Sequence, residues 1–239
     1  MAQEQLFDAL WLPDMIMKTL QTFEHTKLAS LLNVQDRHGQ TALFYLASTN
    51  KGDVLRKILD SLDDTNELFN LLRSTTKLHT PLHAACWHGD FTSVKAILDH
   101  VDQDMRYSLL KMRTEHGNTP LHCGLYSSSR TEIFTYIFKS LAREQWYDLL
   151  TLHDNNGCTI VHKLAYTGND ALLDTIKDTA TIEQWLKLLC MAPPHQGSRH
   201  QEDAYERAKN KISELRTQAR IEEALSCLNK KGMVHDNAM

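Results

Sequence analysis

The sequence predicts an all-α protein assembled as a stack of repeated helical units, and three observations carry that reading. A tetrapeptide, Thr80-Pro81-Leu82-His83, returns as Thr119-Pro120-Leu121-His122 after 39 residues, with weaker copies at Thr41-Ala42-Leu43-Phe44 and Thr159-Ile160-Val161-His162 in the same phase. Leucine pairs recur at the same period, at Leu71-Leu72, Leu109-Leu110, Leu149-Leu150 and Leu188-Leu189. Only nine glycines and five prolines punctuate 239 residues, and β-branched runs are few, which favours helices over sheet.

The elements follow from the phase of the repeat. Before three of the tetrapeptides stand Asp36-Arg37-His38-Gly39, Glu115-His116-Gly117-Asn118 and Asn155-Asn156-Gly157-Cys158, each with a glycine placed for a turn that needs positive φ. The second copy has Leu78 at that place, which predicts a distorted turn. Threonine then caps a first helix, proline suits its opening turn, where an amide has no partner, and leucine points to the core. Gly89-Asp90, Gly168-Asn169 and, slightly displaced, Gly52-Asp53 close the first helices, while the third copy has Ser128-Ser129-Arg130 instead. Amphipathic second helices come next, with apolar faces such as Val54, Ile58, Leu59, Leu62 and Phe91, Val94, Ile97, Leu98. The leucine pairs, preceded by Leu68, Met105, Trp146 and Trp185, predict a short third helix in every unit, with N-caps at Asp63-Asp64, Asp102-Gln103-Asp104 and Thr181.

The order of turn, Thr-Pro-Leu-His, helix, glycine turn and helix resembles the ankyrin repeat over roughly residues 36 to 190. Four copies are read at 36–74, 75–113, 114–153 and 154–192, about six residues longer than the 33 usual in that family. The third helix takes up the excess. Residues 1–35 read as a half-repeat cap, since Leu31-Leu32 lies in phase and Met15, Met17 and Leu20 supply a helix from Pro13-Asp14. Leu12-Pro13-Asp14 with spaced leucines also resembles the start of an F-box, but the segment is short and the repeat phase accounts for its leucines. After Pro193-Pro194 a loop leads to a charged helix at 202–228 within a C-terminal capping segment, 193–229, because a stack left open would expose its core. A flexible tail is expected at 230–239. The fold class is thus an ankyrin-repeat solenoid with an extra short helix per repeat and helical caps at both ends.

Charge and motifs narrow the function. A formal charge of −4, with basic and acidic residues interspersed, offers no basic stripe for nucleic acid and no polybasic patch for a membrane. No apolar run approaches the roughly 18 residues of a span, and the start of the chain lacks the pattern of a signal peptide. An intracellular location is expected, with cytoplasm, nucleus and host-cell cytosol all open. Five cysteines without CxxC spacing suggest neither a disulfide framework nor a zinc site. His83, His122 and His162 share one slot in successive units, too far apart for one metal, and the resemblance implies that they hydrogen-bond neighbouring turns. Cys86 and His88 lack an orienting third group, and the Asp102/Asp104 pair lacks the other ligands of a calcium loop. No phosphate, dinucleotide or protease motif occurs, so no enzyme, cofactor or small-molecule substrate is expected.

The resemblance implies a partner protein held on a concave face made of turn tips and first helices. Trp87, Tyr126 and Tyr166 lie 39 and 40 residues apart on that side, followed by His88, Ser127 and Thr167. Facing outward, they would form an aromatic row of the kind that supplies interface hot spots; packed inward, they would replace the small residues usual between first helices. Arg37, His38, Thr76, Lys77, Glu115, His116, Asn155 and Asn156 would give a polar rim of mixed charge. The expectation is an adaptor or inhibitor, monomeric alone, that binds a protein or peptide. The alternative is a targeting subunit, such as a ligase adaptor or a bacterial effector in a host cell, that docks through a terminal helix.

Overall fold

The computed structural model describes residues 25–35, 39–74, 79–191 and 199–230, with side chains over 28–35, 39–74, 79–191 and 210–227. Among these residues every regular element is a helix, and β structure is confined to isolated bridge residues, His153 with Thr159 and one at His79. The expected cap helix from Pro13, the Leu78 turn and the tail from 231 lie outside the described residues. Contacts divide the chain at Leu149/Leu150 into two compact units.

The first unit opens with α1 (His25–Leu32), which carries buried Leu28, Ala29 and Leu32. Three triplets follow: α2 (Ala42–Ser48), α3 (Gly52–Asp60) and α4 (Thr65–Arg73); α5 (Pro81–His88), α6 (Phe91–Asp99) and α7 (Gln103–Lys111); α8 (Pro120–Gly124), α9 (Arg130–Lys139) and α10 (Arg143–Thr151). First helices pack on first helices, α2 on α5 and α5 on α8, while second and third helices pack on their counterparts. The chain's periodicity becomes a stack because each amphipathic unit buries its apolar face only against the next.

Local chemistry sets the helix starts. The hydroxyls of Thr41, Thr80 and Thr119 accept the N–H of Phe44, His83 and His122 at 3.3–3.4 Å. At Thr80 and Thr119 the histidine three residues on closes the box, its Nδ1 accepting the threonine N–H at 3.2 and 3.3 Å. Third helices begin on Asp64 and Asp102, whose carboxylates accept first-turn amides at 2.8–3.0 Å. Such caps are each worth about 0.5–2 kcal/mol.

The helix ends differ from expectation in one copy. Gly89 closes α5 with φ +72°, as its sequence position suggests. Gly52 plays no such part; Asn50, the residue in register with Gly89, takes the left-handed conformation at φ +57°. Asparagine tolerates that region better than most side chains. Gly52 instead starts α3 against α6, where an added Cβ would lie 2.6 Å from the amide nitrogen of Ser93 and 2.7 Å from Thr92 Cβ. Its smallness permits close approach of two second helices. In the third copy no residue from 125 to 129 has positive φ, and α8 ends early at Gly124.

In the second unit α11 (Ile160–Thr167), α12 (Asp170–Thr179) and α13 (Ile182–Cys190) repeat the order, with Thr159 and Thr181 as capping-box residues and Gly168 at φ +67°. The long helix α14 (Arg199–Lys230) packs on α11 and α13. It buries Ile212, Leu215 and Ala219, and its rim is tied by Lys177 to Glu222 at 2.7 Å and Lys211 to Asp170 at 3.3 Å. The four leucine pairs of the period are all buried, each side chain worth roughly 1.5–3 kcal/mol.

Candidate protein-interaction surface

Helix α5 is almost wholly enclosed, since Pro81 through Cys86 are all buried between its neighbours. Only its last residues escape, so Trp87 stands 57% exposed with His88 exposed beside it. In the next repeat Tyr126 follows the short α8 and is equally open at 57%. The two rings lie 6.4 Å apart between centroids, tilted by 55°, so they form one aromatic surface across two repeats. Their seat is firm. Ser127, next to Tyr126, is buried, its Oγ donating to Gly124 O at 3.0 Å, and its Cβ lies 3.1 Å from where a side chain on Gly89 would begin. Arg130 donates through Nη1 to Ser127 O at 3.1 Å and closes the loop. In the second unit Tyr166 occupies the same slot on α11, 41% exposed, with Thr167 and Gly168 also at the surface.

The turn tips are rigid backbone with outward side chains. Gly117 (φ +75°) lets Thr114 and Asn118 pair at 2.9 Å, and Arg113 Nε donates to Gly117 O at 3.2 Å. His116, with a side chain 73% exposed, reaches Glu115 at 3.5 Å. In the second unit Asp154 accepts the N–H of Asn156 and Cys158, both at 2.9 Å, and meets Lys163 at 2.8 Å. Burial works to raise the Asp154 pKa, but Lys163 and those two amides outweigh it and hold the carboxyl below its usual range. Asn156 itself projects to solvent. Arg37, His38, Thr76 and Lys77 lie outside the described residues.

The histidines of the repeat slot are structural. Because Nδ1 of His83 accepts the Thr80 N–H, its proton sits on Nε2, which donates to Met112 O at 3.1 Å at the end of its own repeat and to Asn118 O at 3.2 Å in the turn of the following one. Burial lowers the His83 pKa to about 4 against the partial support of those carbonyls, so the ring is neutral. His162 makes the same contact to Met191 O at 2.7 Å, and burial lowers its pKa too. Cys86 is buried and its thiol pKa is driven well up by desolvation, whereas His88 faces water, so the two form no nucleophile and base pair. Among the described residues no group of three or more metal-ligating side chains is assembled.

Residues 15–108 match the family model described as ankyrin repeats, in three copies. Over that span the chain carries ankyrin repeats. The capped first helix, second helix and third helix recur past the matched span, in α8 to α10 and in α11 to α13, with a left-handed glycine closing the first helix only in the latter. Among curated proteins none matches the chain. Ankyrin repeats indicate a protein–protein interaction module, are typically non-enzymatic, and suggest a protein as partner. Among the described residues no helix is long and apolar enough to cross a membrane.

The cross-repeat polar ties escape a reading by motif. On the second helices Arg56 pairs with Asp99 at 3.9 Å, the Tyr136 hydroxyl donates to Asp99, and His100 Nε2 meets Asp60 at 2.8 Å. On the third helices the Tyr107 hydroxyl donates to Asp148, which Lys111 also meets at 3.2 Å, and Gln103 donates to Gln145 at 2.8 Å. Desolvation and the Asp99 carboxylate push the Tyr136 pKa up to about 12, so the phenol remains a donor. The signal was spacing: these partners lie 37 to 43 residues apart, one repeat along the chain.

Proposed function

We propose that this ankyrin-repeat chain is an adaptor or inhibitor that engages a partner protein through the surface centred on Trp87 and Tyr126, with no chemistry of its own. The observation that supports the reading is a pair of large aromatic rings, each more than half exposed, fixed on buried backbone in adjacent repeats. Monomeric proteins seldom leave such rings open, and Trp and Tyr in rigid settings dominate interface energetics. Within the first unit His88 and His116 belong to the proposed contact set, and Arg37, His38, Lys77 and, from the second unit, Asn156 and Tyr166 are assigned to it from the sequence repeat alone.

A second reading rests on α14. Beyond its buried run it exposes Ile221 (55%) and Leu225 (50%) one turn apart, which would let the repeats recruit one protein while α14 docks another. Affinity capture from a lysate separates the two. A folded Trp87→Ala, Tyr126→Ala variant loses its partner under the first reading. An Ile221→Glu, Leu225→Glu variant loses one under the second. Point changes are preferred to truncation, because Ile212, Leu215 and Ala219 cover the core of the second unit. Retention of every captured protein by the aromatic variant would refute the leading proposal.

A further inference from the structure

We infer that the Trp87–Tyr126 surface is built for an acidic segment of the partner, an extended peptide that seats an apolar side chain on the rings and carboxylates beside them. This rests on the binding surface proposed above and specifies its occupant. The chain as a whole is acidic, at −4, yet the immediate surroundings of the rings are not.

From Ala84 to Phe91 the one carboxylate is Asp90, which is buried and engaged in capping α6, accepting the Ser93 N–H at 3.1 Å and the Ser93 hydroxyl. From Pro120 to Thr131 there is none. The ionisable groups that do reach the surface there are His88, beside Trp87, and Arg130, tied to the carbonyl of the residue after Tyr126. On the other flank Lys51 is exposed ahead of α3, whose first residue, Gly52, abuts Thr92 and Ser93 just past the Trp87 turn. A cation, Lys51, thus adjoins the residue packed on the start of α6, and another, Arg130, is tied to the segment that carries Tyr126. The first exposed carboxylates along the chain past these two cations, Asp53 and Glu132, sit in the first turns of α3 and α9, where they face the helix N-terminus.

An aromatic surface supplies non-directional contact area, and cations at its edges select the sign of the partner and speed its encounter. Arg130 has the further advantage of a planar fork suited to a carboxylate. A cationic peptide would instead find the rings guarded by like charge.

The test uses a random-peptide display library panned on the full chain, with the Trp87→Ala, Tyr126→Ala variant as the counter-selection. The expected winners carry net negative charge and at least one large apolar residue. A synthetic copy of the leading peptide should bind at least tenfold more weakly to a Lys51→Glu, Arg130→Glu variant that retains its helicity, and its affinity should fall as salt rises. Winners that are neutral or basic, or an affinity indifferent to the double charge reversal, would overturn the acidic occupant while leaving the binding surface in place. Failure to enrich any peptide over the aromatic variant would overturn both.

Discussion

The buried imidazole of His83 makes the stability of the first unit depend on pH in a way that a single substitution isolates. In the folded chain burial holds its pKa at about 4, whereas in the unfolded chain it returns to 6.5. Between those values the unfolded state binds more protons than the folded one, so stability is complete above 6.5 and drains away as pH falls toward 4. Proton linkage puts the loss from this one group at about 2 kcal/mol on going from pH 7 to pH 5, and about 3 kcal/mol once both states are protonated. A His83→Gln variant keeps donor and acceptor atoms but cannot titrate. It should be less stable at pH 7 by about 1–3 kcal/mol, since the contacts to Thr80, Met112 and Asn118 are no longer all satisfied. Its further loss between pH 7 and 5 should be about 2 kcal/mol smaller than that of the wild type, the remaining histidines being common to both proteins. Urea unfolding followed by circular dichroism at the two pH values reads the difference. Equal pH dependence in the two proteins would show that His83 is not held neutral between the repeats, and the proposed tie from one repeat to the next turn would fall with it.

Other substitutions probe the remaining devices by denaturant unfolding. Gly52→Ala should cost about 1–3 kcal/mol or more, because its Cβ would meet backbone at 2.6 Å; a neutral result would show that α3 and α6 are not so close. Gly168→Ala meets nothing within 4 Å and should cost only the left-handed strain, about 1 kcal/mol. Thr119→Ala should cost about 0.5–2 kcal/mol by opening the capping box on α8, and Thr119→Ser should restore most of it. Trp87→Ala should lower stability by no more than about 1.5 kcal/mol, the worth of an exposed ring pair; a larger loss would place the ring in the core.

Much of the fold was legible because a solenoid repeats its local rules. Threonine caps, the glycines at 39, 89, 117, 157 and 168, and the leucine pairs each announce themselves at one period, and the structure gives them those roles. In the first copy a glycine stands near the turn without forming it. Asn50 can adopt the same backbone, and Gly52 was free to serve packing instead. That distinction depends on which helix approaches, information carried by residues 92 and 93 rather than by the local motif. The candidate surface was legible as a spacing of aromatics, but not its exposure. Trp87 lies one residue beyond a run of six buried ones, and only the length of α5 and the packing of α2 and α8 decide where the run ends. The flanking role of Lys51 and Arg130 was hidden for the same reason, since each is remote in sequence from at least one of the rings it borders.

Whether the exposed aromatic pair on the ankyrin repeats binds a protein partner is read from the affinity of the captured partner for wild type and for the Trp87→Ala, Tyr126→Ala variant. Two exposed hot-spot rings worth at least about 2 kcal/mol together predict a weakening of about 30-fold or more, with the thermal melting of the variant close to that of the wild type. An affinity unchanged within twofold in a variant of undiminished stability would move the binding site away from these rings.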